Sequence, residues 1–111
     1  MSAGTYNFTI EQGTTFSRVL TLQENGSAMN LTGYSVASQM RSTHDSSSIV
    51  ATFTGTVSNA SSGQITLSLS NSTTSGIDEA IYVYDVEITS GAGAVTRILE
   101  GNITVTPEVT R

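Results

Sequence analysis

Apolar and polar residues alternate along most of the chain in short runs, the period-two pattern of strands with one buried face. Tyr6, Phe8 and Ile10 share one face of a first strand, and Glu11-Gln12-Gly13 reads as a turn or bulge. Phe16, Leu20 and Leu22 continue at the same period, with Arg18 interrupting the stripe. Glu24-Asn25-Gly26-Ser27 then supplies an Asn-Gly turn, in which a positive φ costs both central residues little. Met29 and Leu31 lead through Thr32-Gly33 into Tyr34, Val36 and Met40, a run that ends at Arg41. The polar stretch from Ser42 to Ser48 predicts an exposed loop. Ile49, Ala51, Phe53, Gly55 and Val57 form the next apolar face, and Ile65, Leu67 and Leu69 the one after. The short polar turn between those two, Asn59 to Gly63, predicts a hairpin.

Ser70 to Ile77 is the one piece suited to a helical turn, with Ser70 or Asn71 as cap and Gly76 as terminator. Tyr82, Tyr84, Val86 and Ile88 mark the strongest strand and send Asp85 and Glu87 to its opposite face. Ser90-Gly91-Ala92-Gly93 is a hairpin connection to Val95, Leu99, Ile103 and Val105, arranged around Gly101. Pro107 stops the ladder because it has no N–H to donate. About seven strands, roughly 8–15 residues apart, predict an all-β fold with the density of an immunoglobulin-type sandwich or a small barrel. The immunoglobulin-like antiparallel β-sandwich is preferred, because each strand offers one apolar stripe to bury between two sheets. At 111 residues, one domain over 1–111 is expected.

Composition narrows the partners. Apolar residues make up 37% of the chain and charged residues 12%, and the recurrence of Val, Ile and Thr separates it from a disordered segment. The net charge of −5 comes from nine acids against four arginines (Arg18, Arg41, Arg97, Arg111), with no lysine. No clustered basic footprint is available for nucleic acid or for an anionic membrane surface, so neither is expected as a partner. With no cysteine, stability must come from burial and backbone pairing. The N-terminal residues resemble no secretory leader and no run is long enough to span a membrane, so synthesis in a cytoplasm is expected. All six asparagines (Asn7, Asn25, Asn30, Asn59, Asn71, Asn102) stand in Asn-x-Ser/Thr triplets. In a chain this rich in Ser and Thr such triplets arise by chance, and glycosylation is not expected.

No catalytic, cofactor-binding or metal-binding residue is assigned from the sequence. His44 and Asp45 lie beside several serines, but catalytic triads are assembled from distant segments by a rigid fold, and a solvated loop tip is the expectation. Asp85 with Glu87, and Asp78 with Glu79, read as a solvated acidic face, since a Ca²⁺ site needs six to eight converging oxygens. The aromatic residues fall mostly in the apolar stripes, where packing claims them. No phosphate-binding glycine loop, zinc spacing or dinucleotide fingerprint occurs.

Four pieces follow one another across nearly the whole chain: Phe8-Thr-Ile-Glu-Gln-Gly-Thr-Thr-Phe16, Asn30-Leu-Thr-Gly-Tyr34, Ala80-Ile-Tyr-Val-Tyr-Asp85 and Thr96-Arg-Ile-Leu-Glu-Gly101. Together, ahead of Val105-Thr-Pro-Glu-Val109, they resemble a group of small tailed-bacteriophage virion proteins that includes the N-terminal domain of baseplate upper proteins. The resemblance rests on order and spacing, because no single piece is specific. It implies an immunoglobulin-like sandwich that docks on other virion proteins as a non-catalytic tail or baseplate adaptor. A homo-oligomeric ring or array is expected in the assembled particle.

The sequence given ends at Arg111 without the coiled-coil stalk or receptor-binding domain of the baseplate upper proteins. That departure leaves a capsid decoration protein, bound to the major capsid protein, as an alternative. Edge strands near either terminus are the expected docking rails. The competing class is a carbohydrate- or surface-binding module using residues 42–48 or the pair Tyr82 and Tyr84, and an enzyme is the weakest reading.

Overall fold

Alternation over most of the chain leaves little choice but strands, and the computed structural model, which describes residues 4–24 and 26–109, bears this out. The elements are β1 (Gly4–Thr5), β2 (Phe8–Glu11), β3 (Phe16–Thr21), β4 (Gln23–Glu24), β5 (Ser27–Ala28), β6 (Ser35–Arg41), β7 (Ala51–Asn59), β8 (Gln64–Leu69), α1 (Asn71–Ser75), β9 (Ala80–Thr89) and β10 (Val95–Thr106). Seven of the strands have four or more residues. Ser70 caps α1 by accepting from the Thr73 N–H, and Gly76 ends it. The hairpin joining β7 and β8 forms as expected. At the Asn-Gly turn Gly26 has φ 81°, while Asn25 lies outside the described residues, as does Arg111.

Pairing follows one continuous path, β10-β9-β6-β7-β8-β3, with β1 and β2 on the far side of β10 and β4 paired only with β5. Both β1 and β2 run parallel to β10, whereas the other pairs are antiparallel. The expectation of wholly antiparallel pairing is therefore corrected to a mixed sheet. The physical reason is that the chain starts beside its own last strand and in the same direction. Between the two parallel stretches the backbone passes directly over Gly101, where a Cβ would lie 2.2 Å from the Tyr6 carbonyl oxygen. Only glycine allows that approach.

β7 carries the sheet around a corner. Ala51 to Phe53 pair with β6, and Thr54 to Asn59 pair with β8. The sheet curls as a result, and β2 and β3, neighbours in sequence but at opposite ends of the path, meet through their side chains. The Phe8 and Phe16 rings stack at 5.2 Å, and Tyr84 packs edge-on against Phe8 at 4.9 Å. Arg18 interrupts the apolar stripe in sequence, but in space it spans this opening. Its Nη1 donates to the Tyr6 hydroxyl at 2.6 Å, and its guanidinium lies 5.6 Å from the centre of the Phe8 ring.

The core between the curled halves contains Ile10, Leu31, Met40, Ile65, Leu67, Val86, Ile88 and Ile103. Two members of the predicted stripes are instead exposed, Ile49 and Val95. The register slips between Arg97 and Leu99, and this irregularity buries Ile98 in place of the next alternate residue. Ser38 occupies an apolar position between Val36 and Met40, and is satisfied there by donating its Oγ–H to the Asp85 carbonyl at 2.6 Å. Among the described residues no buried side-chain polar atom lacks a partner.

Candidate functional site

Because Tyr82, Tyr84, Val86 and Ile88 face the core, Val83, Asp85 and Glu87 must face outward from β9. Cross-strand register sets Gln39 of β6 and Glu100 of β10 on either side of Asp85, and Ala37 and Arg97 on either side of Glu87. These side chains and the start of the 42–48 loop enclose a groove of about 410 Å³. Arg97 Nε lies 3.2 Å from Asp85 Oδ2, a half-exposed ion pair worth no more than about 1 kcal/mol. Arg41 holds the opposite wall, its Nη1 donating to the Ser46 carbonyl at 2.8 Å and its Nη2 to Gln39 Oε1 at 3.0 Å. The loop is exposed, as expected, but anchored by this one side chain.

Several residues singled out in the sequence thus meet in one place. His44 and Thr43 line the groove opposite Asp85 and Glu87, while Asp45 does not line it. Asp78 and Glu79 are exposed at the far end of β9, and the Asp78 carbonyl accepts the Tyr82 hydroxyl at 2.6 Å. Tyr82 and Tyr84 are core residues, with 7% and 3% of their surface exposed, so they offer no outward platform. The Tyr84 hydroxyl donates to the Tyr6 carbonyl at 2.6 Å. Burial pushes the Tyr84 phenol up to about 12, with the Tyr6 phenol adding to the rise and Arg18 opposing it. Burial also raises Tyr82, reinforced by Asp78. No group of three or more His, Asp or Glu among the described residues is disposed to hold a metal ion. No helix among them is long and apolar enough to cross a membrane, which says nothing of a β-barrel.

The opposite side of the molecule has a different character. β3, β7 and β8 together contain one charged residue, Arg18, and its side chain is turned inward over the Phe8 ring. Their outward faces present Ser17, Val19 and Thr21 beside Ser68, Thr66 and Gln64, with Thr54 and Thr56 beyond. Val19 is 55% exposed in the middle of this uncharged surface.

β3 also ends the strand path, and its free side can be worked out from the ladder. The Leu22 N–H donates to the Gly63 carbonyl at 2.7 Å, in register with the β3–β8 pairs. Bonded pairs alternate along an antiparallel ladder, so Leu20, Arg18 and Phe16 exchange hydrogen bonds with β8. The backbone N–H and C=O groups of Ser17, Val19 and Thr21 therefore point away from β8. Among the described residues no strand pairs with that side.

The sequence predicts docking rails on edge strands near either terminus, but β10, the last strand, is paired on both sides and is no edge. β3 ends the path instead, and the signal for it was the run Phe16–Thr21, in which the alternate residues Ser17, Val19 and Thr21 carry no charge. Nothing in the sequence placed Arg41, Arg97 and Glu100 around one groove, because that depends on register. No protein-family model matches the chain, and no curated protein matches it.

Proposed function

We propose that the chain is a non-catalytic docking domain of a tailed-bacteriophage virion, an immunoglobulin-like sandwich that joins other virion proteins as a tail or baseplate adaptor. The observation that carries the docking role is the segregation of charge: an unpaired edge and an uncharged face on one side, and the acids and arginines of the groove on the other. An open edge adds a neighbour's strand through backbone hydrogen bonds, a mode that needs shape and register more than charge.

Support for the immunoglobulin-like reading comes from strand order and one side chain. β3-β8-β7 and β6-β9-β10 follow the B-E-D and C-F-G orders of that fold, and Tyr82, at the start of the penultimate strand, bonds back to Asp78 as a tyrosine corner does. The virion assignment rests on the resemblance of the four sequence pieces, several of which serve this architecture: Phe8 and Phe16 close the opening, and Gly101 admits the crossing backbone. Capture of tagged protein against dissociated virion components tests the proposal. Recovery of a tail or baseplate protein supports it; recovery of the major capsid protein supports the decoration alternative; recovery of neither contradicts both.

The groove favours a second reading, a carbohydrate- or surface-binding module, because an anchored loop faces polar and charged side chains suited to hydroxyl groups. The inward placement of Tyr82 and Tyr84 counts against it. Glycan binding that disappears in Arg97→Ala while the fold is retained would make this reading the better one.

A further inference from the structure

We infer that the open edge of β3 pairs with the β3 edge of a second copy of this chain, antiparallel about a two-fold axis through Val19. This rests on the docking role proposed above and names the occupant of the edge. The six unpaired backbone groups of Ser17, Val19 and Thr21 are self-complementary. With the axis at Val19, Val19 exchanges both hydrogen bonds with its symmetry mate, and Ser17 exchanges with Thr21 of the other copy. All six groups are then satisfied, and β7-β8-β3 continues across the axis into the same strands in reverse order.

Charge selects the second copy as occupant. A chain of net charge −5 repels itself, and the repulsion is least where no acid lies; β3, β7 and β8 contain none. Arg18 adds no outward charge at the axis, because its Nη1 is held on its own Tyr6 hydroxyl. The exposed side chains that meet are Val19 on Val19 and Ser17 on Thr21, pairs without like-charge opposition. Six residues of edge give less area than the roughly 1,200 Å² of a stable complex, so the pairing is weak between free molecules and gains strength when both are held in an array.

Sedimentation velocity over a concentration series, with residue-resolved amide exchange on the same samples, tests this. The expected result is a concentration-dependent dimer, with the Ser17, Val19 and Thr21 amides alone gaining protection as it forms. Val19→Pro removes an N–H that β8 does not use, and should abolish the dimer while leaving the melting temperature near that of the parent. Val19→Glu should do the same by charge should the proline variant fail to fold. A monomer at the highest concentration, or a dimer unaffected by Val19→Glu, overturns the inference. Either result leaves the docking role standing if the chain is still recovered with virion proteins, whereas self-pairing without such recovery removes the virion role and keeps the dimer.

Discussion

At Gly101 the backbone of Tyr6 and Asn7 crosses β10 so closely that a side chain has no room, and the crossing is held on both sides. The Tyr6 N–H donates to the Glu100 carbonyl at 3.0 Å, and Asn7 Oδ1 accepts the Asn102 N–H at 2.8 Å. Gly101→Ala should destabilise the fold by about 1–3 kcal/mol, the range for overpacking, visible as a lowered melting temperature. The Tyr84 phenol, which donates to the Tyr6 carbonyl, makes a second prediction. Its folded pKa is raised from 10.0 to about 12, so its contribution is fully present below pH 10 and is lost as pH rises toward 12. Tyr84→Phe should flatten that part of the stability profile in denaturant titrations, and should cost about 1 kcal/mol at pH 7 through the unpaired carbonyl. A profile as steep in the variant as in the parent would assign the alkaline loss to another group.

At the scale of elements, the two sides of β3 do different work. Leu20 bonds to β8 and packs in the core, whereas Val19 faces outward in both backbone and side chain. Leu20→Pro should therefore cost at least about 3 kcal/mol, while Val19→Pro should change the melting temperature little. Equal damage from the two would show that the ladder is offset by one residue. The same strands show how far sequence carries. Strict alternation in Ile65-Thr66-Leu67-Ser68-Leu69 gave its buried face directly, and the Ser70 cap and Gly76 stop located α1 within a residue. Alternation could not give the Arg97/Leu99 irregularity, since one extra residue reverses the faces on either side of it, burying Ile98 and exposing Val95. Nor could it give the parallel pairing of β1 and β2 with β10, which joins residues about a hundred positions apart and has no local signal. The groove was hidden for the same reason: Asp85 was legible as outward, but its neighbours Gln39 and Glu100 follow from two registers.

Over the whole molecule, a polar groove of paired and anchored charges lies on the β6-β9-β10 side and an uncharged open edge on the β3-β8 side. Under the proposed docking role, the uncharged edge is the side for assembly and the groove side stays hydrated. Association through an uncharged edge should strengthen slightly, not weaken, as salt screens the shared negative charge; a dimer that dissociates at high salt would point instead to the ion pairs of the groove. The central claim, a docking domain within a virion, is tested most directly by counting copies of the chain in purified intact particles by mass spectrometry. The account predicts a small, symmetry-related number of copies that co-purify with tail or baseplate proteins after partial disassembly. Absence of the chain from the particles would contradict the account, and hundreds of copies released with the major capsid protein would contradict the adaptor position.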